Sequence, residues 1–335
     1  MSEHLPVPHP FHSLIVKWVG GHEPVAAPAA SASPQVTGAV YSTSRMIRIL
    51  GTVFAGLLGL AFGSFLNVCL SRWPEGESVV SPRSHCRNCD HTLAWWENIP
   101  LLSWLALRGR CRKCGAWIGW RYPLVELAVA ALWASAVWRS LTGTDAFAPA
   151  DWVWLILVEA AAAMALAWLL VALAILDAEN LWLPNFLTIP GTILGLVVTT
   201  GHEEFASRVD GAPSLLRALL SALIAIVVCA GLVLLIRWLY KLIRHREGIG
   251  LGDAKLMALL AAWLGLPGAL LAFGFGAILG SVAALALLAV PAGRRGSESW
   301  AETKLPFGTF LCIGGIVSSL WRQPIIAAYL RWSGF

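Results

Sequence analysis

The sequence predicts an all-α polytopic membrane protein with about eight transmembrane helices and one large polar loop. Three observations predict it. Of 335 residues, 58% are hydrophobic and only 13% are charged, about half the charged share of a soluble domain. Apolar runs of near-spanning length recur along the chain. Lys and Arg gather in a few stretches instead of being spread evenly: eight of them lie between Arg72 and Tyr122 against four Asp/Glu, with smaller clusters at Arg237, Lys241, Arg244, Arg246 and at Arg294, Arg295, Lys304.

Residues 1–45 are rich in Pro, Ala, Ser and His without sustained periodicity and read as a disordered tail. The chain then divides into a first transmembrane helix (46–71), a four-cysteine loop (72–122), a transmembrane domain (123–323) and a C-terminal tail (324–335). Spans are expected near 47–70, 123–141, 152–176, 184–201, 214–238, 254–270, 271–291 and 305–323, most of them long enough for about 30 Å of hydrocarbon. Leu266-Pro267-Gly268 separates the sixth from the seventh as a tight turn. With the loop 72–122 placed in the cytoplasm, 177–183, 239–253 and 292–304 join it and collect the basic clusters. Loops 142–151 and 202–213, which hold Asp145, Asp151, Glu203, Glu204 and Asp210 against Arg208, fall outside. Arg45 and Arg48 oppose this assignment weakly. Gly59 and Gly63, and Gly276 and Gly280, form small-xxx-small faces for close helix packing. The basic stretches mark topology. They carry no signature of nucleic-acid binding, and the surroundings implied are the lipid bilayer.

Within the loop, Cys86-Arg87-Asn88-Cys89 and Cys111-Arg112-Lys113-Cys114 are separated by 21 residues. Two CxxC knuckles at such spacing fit a zinc-ribbon-like site in which four thiolates hold a structural Zn2+ tetrahedrally and leave no open position. A reduced compartment favours metal binding by these thiols over disulfides. Arg87, Arg112 and Lys113 offset the negative charge of a tetrathiolate centre. His85 and His91 are expected at the surface. The other cysteines, Cys69, Cys229 and Cys312, lie in apolar segments and read as buried, unreactive thiols.

Two acids stand out. Asp177 closes the apolar run from Leu166 to Leu176, and Asp253 follows Gly250-Leu251-Gly252. Either alone could be an interfacial or helix-capping residue. Together, on one membrane face, they form a pair able to hydrolyse a peptide: one ionised carboxylate takes a proton from water while the other, protonated, donates to the carbonyl oxygen. Gly248, Gly250 and Gly252 suggest a strand-like segment against which a peptide could lie.

Gly63-Ser64-Phe65-Leu66-Asn67-Val68, then Arg72 and Pro74, the two knuckles, Glu97-Asn98-Ile99-Pro100-Leu101-Leu102-Ser103, Gly109-Arg110-Cys111, Arg121-Tyr122-Pro123-Leu124-Val125-Glu126, Asp177, Leu183-Pro184-Asn185, Gly250-Leu251-Gly252-Asp253-Ala254-Lys255 and Pro306-Phe307-Gly308 stand in order. Over residues 50–320 the chain resembles the type IV prepilin peptidases, membrane aspartic peptidases of the GxGD type. The resemblance implies a bacterial inner-membrane enzyme that removes the leader of type IV prepilins or type II secretion pseudopilins at the cytoplasmic face. Asp177 and Asp253 then align with the catalytic aspartates. It further implies N-methylation of the new terminus with S-adenosylmethionine, and roles in substrate binding or methyl transfer for Asn67, Arg72, Glu126, Gly250, Gly252 and Lys255. Asn185 stands where the family often has Asp, which leaves Asp177 as the first acid, and Thr309 stands where Pro is common. A leader peptidase without methyl transfer, and a non-catalytic membrane scaffold presenting its zinc loop, are the competing readings.

Overall fold

The computed structural model describes residues 34–142, 150–209, 215–245, 250–289 and 305–333. Most of the expected N-terminal tail, residues 1–33, lies outside the described residues, as do the loop residues 143–149, 210–214 and 290–304. Eight α-helices follow in order: α1 (Pro34–Arg72), the short α2 (Leu102–Ala106), α3 (Arg121–Ser140), α4 (Ala150–Asn180), α5 (Asn185–Val209), α6 (Leu215–Arg244), α7 (Leu251–Ala289) and α8 (Phe307–Ser333). No strand occurs among the described residues. Two isolated antiparallel bridges, His85 with Thr92 and Arg110 with Trp117, sit in the loop between α1 and α3. Five helical stretches, Arg45–Glu75, Val153–Asn180, Leu215–Arg244, Leu251–Leu287 and Phe307–Ser333, are long and apolar enough to cross a membrane.

The fourth of these stretches, in α7, is not a single rod. Gly265 adopts φ 66° and ψ 179° inside it, a conformation open only to glycine. The neighbours on either side show the result. Leu260 packs where a Cβ on Gly315 would lie, Arg322 donates to the Leu264 carbonyl at 2.7 Å, and Ser318 donates to the Gly268 carbonyl at 2.8 Å. Farther along, Gly276 meets Leu311 and Gly280 faces Phe307 and Phe310. The chain therefore climbs along α8 and returns beside it, as a helical hairpin. The reversal begins one residue before the Leu266-Pro267-Gly268 turn expected from sequence. Pro267 falls in the first turn of the second limb, where its missing N–H costs nothing. Counted with both limbs of α7, the long helices correspond to the eight apolar segments of the sequence.

Lipid removes the hydrophobic drive for helices to associate, so close approach and side-chain hydrogen bonds must supply it. A Cβ on Gly59 would stand 2.7 Å from Ala130 Cα, and one on Gly63 2.7 Å from Glu126 Cα, so α1 lies backbone to backbone against α3. Gly314 makes the corresponding approach to the Ala272 carbonyl between α8 and the second limb of α7. Two apolar cores result. One joins Leu66, Leu70, Val125, Val129 and Trp133 to Leu176 of α4; the other gathers Leu170, Leu173, Met257, Leu260, Leu311 and Cys312. Cys69, Cys229 and Cys312 are all buried.

Gly63→Leu should force α1 away from α3 and destabilise the protein by about 1–3 kcal/mol, the usual cost of overpacking. The effect is read as a lowered Tm in detergent. An unchanged Tm would mean that the two helices do not meet there.

Candidate functional site

One end of the bundle collects the C-termini of α1 and α4 and the N-termini of α3, α5, α7 and α8. Asp177 occupies the last turn of α4, which closes when the Leu181 N–H donates to the Asp177 carbonyl (2.9 Å) and Leu181 turns to φ 51°. The chain then passes through Leu183 into α5. The Asp177 Oδ2 accepts the backbone N–H of Thr309 at 2.7 Å and shares the Thr309 hydroxyl (3.2 Å) with the Ala174 carbonyl (2.9 Å). Such close docking needs glycine at the preceding position: a Cβ on Gly308 would stand 2.9 Å from that same oxygen and 3.0 Å from Leu183.

Asp253 reaches the same place from α7. Its Oδ2 accepts the Gly250 N–H at 3.0 Å, the return half of a capping box, in which the third helical residue satisfies the donor at the helix start. Gly252 lies within that first helical turn, packed on Leu183. Gly252 is helical, and the expectation of a strand-like segment is corrected at that residue; Gly250 precedes the helix, Gly248 lies outside the described residues, and the Asp253 carboxylate satisfies the orphan donor that lets helix begin at Leu251. Leu183 thus touches the flanks of both acids. The two carboxylates act electrostatically on each other. Each acid is buried, with 6% of Asp177 and 7% of Asp253 accessible.

The four-cysteine loop lies at the same end. Arg121, at the start of α3, pairs with Glu179 of α4 at 2.8 Å, two residues from Asp177. The two knuckles are built alike. Cys86 N–H donates to His91 O and Asp90 N–H to Cys86 O; Cys111 N–H donates to Ala116 O and Gly115 N–H to Cys111 O. Each has a positive φ after its second cysteine, 52° at Asp90 and 70° at Gly115. The four sulfurs lie within 4.8 Å of one another, with 3.8 Å between Cys86 and Cys114 and 4.0 Å between Cys89 and Cys111. Tetrahedral thiolates at a metal–sulfur distance of about 2.3 Å would stand about 3.8 Å apart. The cluster therefore fits a metal ion with four thiolate ligands. The Ala116 N–H and the Asn88 amide bring the Cys114 thiol down to about 6. At Cys89 the His91 N–H acts in the same sense, but desolvation and the other three sulfurs outweigh it and push the thiol up to about 12.

The remaining residues singled out by sequence divide between two places. Asn67, Arg72 and Glu126 are buried where α1, α3 and the loop meet. The Asn67 amide donates to Tyr122 O (3.0 Å), and Arg72 donates to Ser78 O (2.8 Å) and Pro82 O (2.7 Å). Glu126 accepts the Leu101 N–H at 2.8 Å and bonds Ser64. Lys255 lies instead on the seam between α5 and α7, donating to Asn185 Oδ1 at 2.7 Å. A cavity of about 530 Å3 opens beside the first group, lined by Ser64, Arg72, Arg83, Trp95, Asn98 and Pro100 among others. Sequence reasoning quoted Thr309, Leu183 and Glu97 in its motifs but gave none of them a role. Glu97 is buried and held below the usual carboxylate range by the Ala94 N–H, with His91 and Arg112 adding to the effect. The pairing of Glu97 with Ala94 N–H over three residues was the one local signal available for it.

Comparison with known proteins adds the family. Residues 57–140 match the model of the bacterial peptidase A24 N-terminal domain and residues 164–285 that of the type IV leader peptidase family. This chain belongs to the type IV leader peptidase family. Among its relatives are proteins named prepilin leader peptidase/N-methyltransferase. That of Stutzerimonas stutzeri is 34% identical over 300 residues, 83% of this chain and 93% of its own. That of Pseudomonas aeruginosa is 35% identical with the same coverage, and that of Burkholderia pseudomallei 37% identical over 88% of this chain and 92% of its own. No solved structure gives a significant match. Family and helices together make the chain a multi-pass membrane protein.

In metal-free protein Cys114 should be alkylated first. With its thiol brought down to about 6, its rate should rise as pH rises through that value and then level off, while Cys89 stays slow until far higher pH. Peptide mass spectrometry after timed iodoacetamide exposure measures this; equal labelling of the two at pH 7 would contradict it.

Proposed function

We propose that this protein is a prepilin leader peptidase and N-methyltransferase of the bacterial inner membrane, with Asp177 and Asp253 as its catalytic pair. The observation that carries the reading is the convergence of two buried carboxylates around Leu183 at one end of the helix bundle. An isolated acid at membrane depth is costly, and a pair there is a functional site by default.

Their different partners divide the labour. Asp177 Oδ2 accepts the Thr309 N–H and a share of the Thr309 hydroxyl, whose single hydrogen also reaches the Ala174 carbonyl, and the Gly308 N–H is directed at the same carboxylate; these donors favour its charged form. Asp177 therefore serves as the base. Asp253 accepts one backbone N–H through Oδ2, leaving its other oxygen to carry the proton that two adjacent carboxylates share. Water attacks the scissile carbonyl carbon and passes a proton to Asp177, as Asp253 protonates the carbonyl oxygen. The tetrahedral intermediate then collapses: the carbon–nitrogen bond breaks as Asp177 gives its proton to the leaving amine of the mature pilin, and Asp253 takes back a proton from the gem-diol as the leader's carboxyl forms. Thr309 is a positioning residue that fixes the base. The substrate is the prepilin or pseudopilin signal helix, entering from the bilayer with its basic leader on the cytoplasmic side, where the basic loops also lie.

Zn2+ is the ion that the Cys86, Cys89, Cys111 and Cys114 thiolates suit best, and with no open position its role is structural. For methyl transfer, the cavity between α1 and the zinc loop has the size of a small-molecule site. Its Trp95 face suits an adenine and its Arg83 a carboxylate. S-adenosylmethionine held there would supply an electrophilic methyl group, and the chain's task is to keep the freed amine neutral and aligned. Buried Asn67 Oδ1 and Glu97 Oε1, both without protein partners, are acceptors close to this region.

Asp177→Asn and Asp253→Asn should each lower leader removal from a co-expressed prepilin at least about a hundredfold, the weight of a general acid or base, with the protein still accumulating in membranes. Cleavage at the normal rate by both variants would refute the mechanism. Intact mass of the processed pilin tests the second activity: a terminus lacking the added methyl leaves only the peptidase. The purified chain should hold about one zinc, and Cys111→Ser should lose it, as measured by elemental mass spectrometry. Zinc retained by that variant would reject the four-thiolate site.

A further inference from the structure

Trp104, Trp117 and Trp120 form a single aromatic cluster in the four-cysteine loop. Their ring centroids stand 4.5 Å (Trp104–Trp120), 5.8 Å (Trp104–Trp117) and 6.0 Å (Trp117–Trp120) apart. The cluster is built, not collapsed. Trp104 Nε1 donates to Ile118 O at 3.1 Å, and the Ile118 N–H donates to Gly109 O. Gly109, at φ 66°, leaves room that a Cβ would take away: it would come within 2.8 Å of the Trp117 ring and 2.9 Å of Trp104. Yet Trp117 and Trp120 remain 55% and 59% exposed, and Leu102 and Leu105 of adjacent α2 64% and 63%. Water is a poor solvent for so much fixed apolar surface.

The position of the cluster identifies what covers it. Trp120 is in the α-helical region immediately before α3. The exposed residues that follow it, Leu124, Leu127, Ala131 and Trp138, recur at the helical period and so lie on one face. The opposite face of α3 is backbone to backbone with α1, one of the helices apolar enough to cross the membrane. The exposed stripe therefore faces lipid. Trp120 and Trp138 stand at its two ends, about 27 Å apart at 1.5 Å per residue, close to the ~30 Å hydrocarbon thickness. Tryptophans at that separation are the two interfacial belts, which places Trp120 at headgroup depth. Trp104 and Trp117, stacked on Trp120, are held at the same depth, and α2 with them. Arg108 and Arg110 are exposed on the turn that follows α2, suited to lipid phosphates.

We infer that the four-cysteine loop is anchored in the plane of the membrane through Leu102, Leu105 and the Trp104–Trp117–Trp120 cluster, with phospholipid as the partner of this face. The loop is then no free cytoplasmic knob. Its metal knuckles are held at a fixed height beside the end of α4 that carries Asp177. The inference stands apart from the peptidase reading and needs no activity for its test.

p-Benzoylphenylalanine is placed at Leu102 or Leu105 in the full chain, in nanodiscs of phosphatidylethanolamine and phosphatidylglycerol, and irradiated. Leu124, on the lipid-facing stripe, is the reference position. Both side chains are exposed, so the replacements leave the fold intact. Phospholipid adducts by intact mass at both positions, within about threefold of the yield at Leu124, are expected for a face at headgroup depth. Lower yields would overturn the inference. So would a cross-linked species of twice the chain mass, which would make the partner of this face a second copy.

Discussion

The hydrogen bonds from Thr309 to Asp177 tie the last turn of α4 to the first turn of α8, across 132 residues of sequence. Much of the candidate site depends on that junction. It fixes one carboxylate, requires glycine at 308, and sets Leu183 where the start of α7 can pack on it. Without a donor at 309 the acid would face an apolar wall unpaired, a state that costs more than the bond itself contributes. The reversal of α7 serves the same end: because the hairpin returns, both of its limbs lie along α8, and Asp253 starts beside Asp177.

The bundle achieves this with little help from the hydrophobic effect. Its apolar residues face outward as often as inward, as Phe54, Leu57, Ile193, Val227 and Ile278 do. Contact is secured instead where side chains vanish, at Gly59, Gly63, Gly308 and Gly314, and where polar side chains bond across helices. Trp263 Nε1 to Gly191 O and Thr199 Oγ1 to Ala262 O are two such bonds between α5 and α7. Both groups would be destabilising if left open to lipid, so each fixes a register as well as a distance.

Much of this was legible in the sequence. Apolar periodicity and the placement of basic residues gave the helices, because lipid demands length and polarity in forms that survive in composition. The knuckles were legible because a tetrahedral site fixes ligand number and local spacing. Gly308 was quoted as part of a pattern, but its purpose was hidden. So was Thr309, whose donor meets an acid across three intervening helices, and a one-dimensional reading has no access to such a pairing. Local geometry misled in one place: Gly252 looked extended, yet Asp253 itself satisfies the N–H that starts a helix at Leu251. The matching positive φ at Asp90 and Gly115 was half visible, since glycine announces that conformation and aspartate only tolerates it.

The hairpin of α7 also constrains how the chain is made. Its first limb ends at Gly265 and reaches about 21 Å at 1.5 Å per residue, too short to halt in a bilayer as an independent stop-transfer signal. Pro267 and the open Leu264 carbonyl would meet lipid at its tip until Arg322 arrives from α8. A first limb of that length is expected to enter the bilayer together with the second, as one helical hairpin. The tip is sealed only after the ribosome has completed the last helix, so the acid on α7 is secured late in biogenesis.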